Sequence, residues 1–250
     1  RRMNVSIGVP ILLGWFAALL INYLADVLPA TRKLTSPECR HCSAKFTWKD
    51  YLLLKACSAC GQARGWRTWL TQVLAIAATL YIWLFPPSAL GFWLGWALLV
   101  YLAVVFIIDV EHRLVLHPVS YFGVLLGILV GTKLHGIFPA LFGGVLGFGI
   151  MFGLYYLGVL FARWISKRRG ETVIEEGDAL GFGDVNLAGV LGLILGSKLI
   201  WIGILTAILA GGAVSFILIV GMLVSKRYKA FAAIPYAPFL ILGAVWLLYF

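Results

Sequence analysis

The sequence predicts an all-α polytopic membrane protein, with about eight transmembrane helices and a small polar loop domain after the first. Three observations predict it. Of the 250 residues, 62% are hydrophobic and only 12% are charged, against roughly 25% charged residues in a soluble domain. The mean hydropathy is +0.98. The apolar residues also gather into runs near the roughly 20 that one helix needs to cross a bilayer. This composition excludes an ordinary water-soluble globule. It equally excludes intrinsic disorder, which requires low hydrophobicity.

The runs place helices at about Ile7–Leu28, Trp69–Phe85, Leu90–Ile108, Pro118–Leu134, Ile137–Ile165, Asp184–Gly196, Leu199–Val224 and Phe231–Phe250. Pro86 and Pro87 close the second, and the sixth is shorter than a span normally requires. Residues 1–28 then form the first transmembrane helix, 29–68 a cytoplasmic loop, and 69–250 the transmembrane core. The first helix is long, ends in an Asn and an Asp, and lacks a small-x-small cleavage pattern. It therefore reads as a retained span and not as a signal peptide. No internal repeat is visible. Gly143, Gly144, Gly147, Gly149 and Gly153 in the fifth helix, and Gly211–Gly212 in the seventh, read as close-packing positions.

The net charge of +10 is explained by topology. Eight Lys or Arg lie between Arg32 and Arg67, Arg113 follows the third helix, Arg163 and Lys167–Arg169 follow the fifth, and Lys226, Arg227 and Lys229 follow the seventh. The opposite loops hold Lys133 and Lys198. With eight alternating helices the basic loops share one side, which the positive-inside rule makes cytoplasmic, and the N-terminus lies outside. Nucleic-acid binding is disfavoured on this ground.

All four cysteines fall in the polar loop, as Cys39-Arg-His-Cys42 and Cys57-Ser-Ala-Cys60. Two such pairs can present four thiolates tetrahedrally to one zinc ion, although their spacing is slightly tight for the pattern. Disulfides are the alternative, disfavoured by the reducing compartment that the basic loop implies. A closed four-thiolate site would be structural, ordering a loop too short to build its own core. His41 sits inside a knuckle, and no His-Glu-x-x-His run points to a catalytic zinc.

Two of the ten acidic residues abut apolar spans. Asp109 ends the third helix in Phe106-Ile-Ile-Asp109-Val-Glu-His-Arg113, and Asp184 opens the sixth in Gly181-Phe-Gly-Asp184. Acids at membrane depth are costly and usually functional. Two aspartates sharing one water form a protease arrangement: one, ionised, takes a proton from the water while the other, protonated, polarises the scissile carbonyl. The predicted topology places both on the cytoplasmic side. The plainer readings are a helix cap for Asp184 and a membrane boundary for Asp109. Glu111, His112 and His117 offer Asp109 a metal-binding alternative, and Asn22 with Asp26 reads as a polar pair or as cavity lining.

These motifs together resemble the type IV prepilin peptidase, or leader peptidase, family of GxGD-type intramembrane aspartyl proteases. The likeness rests on the paired CxxC loop, on Ile108-Asp109 followed by His112 and Pro118, on Gly181-Phe-Gly-Asp184 followed by Leu187 and Gly192, and on Ile234-Pro-Tyr-Ala-Pro-Phe239 before the last helix. Asn22 and Pro29 match the end of the family's first helix. The resemblance implies that Asp109 and Asp184 are the catalytic dyad, that Gly181 and Gly183 shape the substrate approach, and that Cys39, Cys42, Cys57 and Cys60 hold structural zinc. It implies cleavage of the basic leaders of prepilins or pseudopilins, after a Gly, at the cytoplasmic face of a prokaryotic inner or plasma membrane. Many members also methylate the new N-terminal amine with S-adenosylmethionine. The chain departs from the family at Leu19-Leu20-Ile21 and Val27, in the closeness of its Cys pairs, and near His117. Glu175 and Glu176, with Glu171 and Asp178, precede Asp184 and are candidates for steering a basic leader, against the alternative of a solvated loop balancing Lys167–Arg169. The competing functional readings are a transporter or channel using intramembrane acids and a zinc-organised membrane scaffold.

Overall fold

A computed structural model describes residues 7–169, 181–225 and 235–250. Its described residues form helices and connecting loops with one isolated β-bridge, Glu38 to Lys45. The chain divides into two compact units, residues 1–108 and 109–250.

The first unit contains α1 (Gly8–Thr31), α2 (Trp48–Leu52), α3 (Trp66–Leu84) and most of α4 (Gly91–His112). α1 packs on α3. Gly14 permits this approach: a Cβ there would stand 2.6 Å from the Ile76 Cα. Trp96 Nε1 donates to Thr79 Oγ1 at 3.2 Å and ties α4 to α3. The one-turn α2 lies inside the polar loop, where no helix is expected from the apolar pattern. Thr47 caps it by accepting from the Asp50 N–H.

The second unit continues from the last turn of α4 into α5 (His117–His135), α6 (Ile137–Arg169), α7 (Phe182–Val224) and α8 (Ala237–Tyr249). Its most extensive contact joins α6 to α7. Five helices among the described residues are long and apolar enough to cross a membrane: α1, α4, α5, α6 over Ile137–Phe161, and α7. Phe122, Phe138, Val145 and Phe216 are among many large apolar side chains that face outward, as lipid-facing helices require.

Helix α7 corresponds to the sixth and seventh sequence-predicted helices. Its 43 residues would measure about 65 Å if straight, about twice the hydrocarbon thickness. It is not straight. Gly196 has φ 69° and ψ 173°, outside helical space. Gly143 of α6 lies against Gly192 and Gly196, and Gly147 lies against Ala188 and Ile200. The partners on α7 thus diverge in both directions from Gly196 as α6 advances by one turn. The chain therefore doubles back at Gly196 with almost no loop, because only glycine adopts that φ/ψ pair readily.

The glycine expectation is met in part. Gly143, Gly144 and Gly147 face α7 closely, whereas Gly149, Gly153 and Gly212 have nothing within 4 Å of a built Cβ. A glycine pattern on a lipid-facing helix reads the same as one at an interface, which is why the sequence does not separate them.

Candidate active site and candidate metal centre

Asp109 and Asp184 both belong to the second unit. Asp109 stands in the last turn of α4. Arg113, at φ 54°, ends that helix by donating its N–H to the Asp109 carbonyl at 2.8 Å. The chain then turns through residues 114–116 before His117 and Pro118 open α5. Asp184 is the third residue of α7. Gly181 caps the helix in extended geometry, and the Asp184 N–H donates to the Gly181 carbonyl at 3.0 Å.

Three contacts build the corner around these acids. Gly183 lies beneath Val115: a Cβ at Gly183 would stand 2.7 Å from the Val115 Cβ. The loop leaving Asp109 thereby rests on the turn that carries Asp184. The Asp184 carboxylate also faces the backbone N–H groups of Gly181 and Ala237. The first is the reciprocal contact of a helix cap, in which the third side chain reaches back to the cap residue. The second brings the start of α8 to the start of α7. Finally, Asp184 and Asp109 lie within electrostatic reach of each other.

Both carboxyl side chains are buried, with residue exposures of 4% for Asp109 and 7% for Asp184. Asp109 Oδ2 has no hydrogen-bond partner among the described residues. A buried carboxylate oxygen without a partner is costly, and a water donating to it would satisfy it. Like charges held close in a low dielectric do not both ionise, so such a pair can offer one acid and one base.

The sequence-predicted Gly181 and Gly183 lie at this corner, with different surroundings. Gly183 is closed in by Val115, whereas a Cβ on Gly181 would meet Asp184 Oδ2 at an ordinary 3.6 Å. Glu171, Glu175, Glu176 and Asp178 lie outside the described residues. Glu111 pairs with His112 at 3.8 Å. Neither these two nor His117 joins Asp109 in a metal-binding cluster among the described residues.

Sequence reasoning assigned no role to Val115, Ala237 or Tyr236. Ala237 acts through its backbone, so its side chain gives no signal. Tyr236 packs its ring on Gly211 and Phe239, and its hydroxyl is buried without a partner among the described residues. The Pro-Tyr-Ala-Pro stretch of the quoted motif was the available pointer to both.

The four cysteine sulfurs lie in the first unit, all within 4.8 Å of one another. Cys39 and Cys60 are 3.7 Å apart, as are Cys42 and Cys57, and none is in a disulfide. A tetrahedron with ~2.3 Å metal–sulfur bonds has edges of about 3.8 Å, so the arrangement fits a metal such as zinc. The two knuckles share one backbone plan. The Cys39 N–H donates to the Ala44 carbonyl and the Cys39 carbonyl accepts from the Ser43 N–H, while Cys57 repeats this with Gln62 and Gly61. Ser43 and Gly61 supply the same left-handed turn, at φ 57° and 69°. Backbone N–H groups of Cys42 and His41 hold the Cys39 thiol down at about 6, and those of Cys60 and Ala59 lower Cys57. The turns thus favour the thiolate, the form that binds metal, at Cys39 and Cys57, while the neighbouring Cys60 thiol and burial push Cys42 up to about 12. His41 is exposed and outside the cluster.

Asp26, read from sequence as a polar pairing or cavity residue, anchors this loop instead. It accepts from Arg67 Nη2 at 2.6 Å, Arg40 Nη2 at 2.9 Å and the Tyr51 hydroxyl at 2.7 Å. Burial, with Asp26 beside it, pushes the Tyr51 phenol well up, so it remains a donor. Arg64 lies over the rings of Phe46 and Tyr51 at 4.1 and 4.2 Å. Asn22 turns elsewhere, to the Thr68 carbonyl at 3.4 Å.

Searches of curated proteins and of solved structures found no match. The model of the Type IV leader peptidase family matches residues 96–216, a stretch that contains Asp109, Asp184 and the Val115–Gly183 contact. Over that stretch the chain is similar to the type IV leader peptidase family.

Proposed function

We propose that the protein is an intramembrane aspartic endopeptidase that removes the basic leader from type IV prepilins or pseudopilins, with Asp109 and Asp184 as its catalytic dyad. The observation that carries this is the convergence of two buried aspartates on one corner, inside the segment matched by the leader peptidase family. One carboxylate activates a water, and the protonated partner polarises the carbonyl of the scissile peptide. The unpartnered Asp109 oxygen is where such a water would be held. Gly183 keeps the Asp109 loop low against the start of α7, which leaves an extended substrate free to approach.

The membrane arrangement in this proposal has eight spans, since α7 folds back at Gly196 and α3 and α8 join the five longest apolar helices. The basic loops then face the cytoplasm, and the dyad opens on that side. The Cys39, Cys42, Cys57 and Cys60 cluster holds structural zinc in the loop after α1. The proposal is confined to proteolysis. The S-adenosylmethionine-dependent methylation that the resemblance also implies is left outside it.

The test is cleavage of a prepilin-type substrate in membranes by the native chain, Asp109→Asn and Asp184→Asn. Asparagine is nearly isosteric and cannot titrate. Each variant should fold as the native chain does and lose activity by about 10²–10⁴-fold. Cleavage at a comparable rate by either folded variant would overturn the dyad.

A further inference from the structure

The cysteine loop carries a second feature, unrelated to metal binding. In α2, Tyr51 points inward and is 2% exposed, while Trp48 and Leu52, one helical turn apart, point outward with Leu53 beside them. Their exposures are 52%, 45% and 65%. Such an apolar patch on a loop is costly in water. Two further observations say what covers it. The Trp48 ring packs on Tyr23, 5.3 Å between centroids, and Tyr23 lies on the apolar helix α1 about two turns before its end. The patch therefore sits beside the C-terminal half of α1. The same loop is strongly basic. Between Arg32 and Arg67 it has eight Lys or Arg against Glu38 and Asp50, and Lys49 and Lys55 flank the patch directly.

We propose that the Trp48–Leu53 face is an interfacial anchor that docks the cysteine loop onto anionic lipid headgroups beside α1. Trp48, Leu52 and Leu53 enter the headgroup–acyl boundary, where aromatic side chains with apolar bodies are favoured. Lys49, Lys55 and the neighbouring basic residues remain among the lipid phosphates. Docking restrains the loop without any contact to substrate, so this proposal stands apart from the proteolytic one. An acidic protein partner would satisfy the charge. It would not require the apolar patch to adjoin a membrane-spanning helix, and the lipid surface explains both features.

The experiment uses the full chain in nanodiscs of phosphatidylcholine alone or mixed with phosphatidylglycerol. Lipid brominated near the headgroup end of its acyl chains serves as quencher. The emission difference between the native chain and Trp48→Phe isolates Trp48, and phenylalanine keeps the ring contact with Tyr23. The expected result is quenching of the Trp48 emission by the brominated lipid, stronger with phosphatidylglycerol present. Reversing Lys49 and Lys55 to Glu should weaken that docking by about fivefold or more per residue. Quenching that is equal with and without phosphatidylglycerol would overturn the anionic preference. Trp48 emission unaffected by bromine but quenched by aqueous iodide would show a solvated face and overturn the anchor. Emission protected from both quenchers would assign the face to a protein partner and likewise overturn it.

Discussion

Val115 stands over Gly183 so closely that a single methyl group at position 183 would lie 2.7 Å from the Val115 Cβ and 3.3 Å from its backbone nitrogen. Real side chains do not tolerate the shorter distance. The two residues belong to the connections that carry the aspartates: Val115 lies six residues after Asp109, and Gly183 directly precedes Asp184. Their contact holds the loop leaving Asp109 against the turn that carries Asp184. The glycines of the Gly181-Phe-Gly-Asp184 motif are consequently unequal, although the motif writes them alike.

Gly183→Ala should lower cleavage by about a hundredfold, the scale expected when reacting groups are displaced by about an ångström. Gly181→Ala should change it only a few-fold, because position 181 has an extended φ of −71° and only ordinary contact with Asp184. Val115→Gly in the Gly183→Ala background should restore much of the loss, since it removes the Cβ that clashes. A double-mutant cycle on cleavage rate measures this coupling. Additive losses in the cycle would show that the contact does not set the dyad.

The helical architecture was legible because spans of apolar residues are long and leave little choice of fold. Both aspartates were legible as acids placed against apolar spans, and the cysteines by their spacing. What was illegible acts through backbone or through distant pairing. Ala237 contributes an N–H, Val115 contributes only bulk, and Asp26 meets Arg67 across 41 positions of sequence. The reversal at Gly196 was legible as a boundary but not as a fold-back without a loop. The Ser197–Lys198 step that sequence reading assigns to a connection is helical.

Gly196→Ala should destabilise the second unit. The residue occupies φ 69°, ψ 173°, a region close to glycine-only that costs other residues about 1–3 kcal/mol. A methyl group would also fall 2.8 Å from His135 Cδ2. Adding His135→Ala should relieve the steric part and leave the backbone part. Thermal unfolding in detergent should therefore rank native first, the double variant next and Gly196→Ala last. A Gly196→Ala chain as stable as native would remove the glycine requirement at the fold-back.

Asp26→Ala should loosen the cysteine loop. Arg67 Nη2 and the Tyr51 hydroxyl share this acceptor, with side-chain exposures of 15% for Arg67 and 11% for Asp26. Breaking a pair this enclosed costs up to about 3–5 kcal/mol. The Arg40 contact adds little because Arg40 is 58% exposed. Tyr51→Phe removes one hydrogen bond and should cost about 1 kcal/mol. Hydrogen exchange over residues 32–65 should accelerate strongly in Asp26→Ala and mildly in Tyr51→Phe. Equal, small effects would mean that the loop is held by its cysteine knuckles alone.

The cysteine knuckles make a separate prediction about composition and order. Four sulfurs within 4.8 Å of one another, with backbone N–H groups that favour the thiolate at Cys39 and Cys57, should bind about one zinc per chain. Cobalt in its place should give the visible absorption of a tetrahedral tetrathiolate centre. Cys42 and Cys60 are exposed, so a strong chelator has access. Zinc removal should speed exchange across residues 39–62, where each knuckle closes its own turn. It should leave the second unit protected, because that unit builds its helical packing from its own residues. Cys39→Ser should abolish stoichiometric zinc, since serine offers no thiolate to a tetrahedral sulfur site. If the purified chain instead carries no metal and its thiols resist alkylation until reduced, the cluster is a pair of disulfides, and the metal reading fails whatever the state of the dyad.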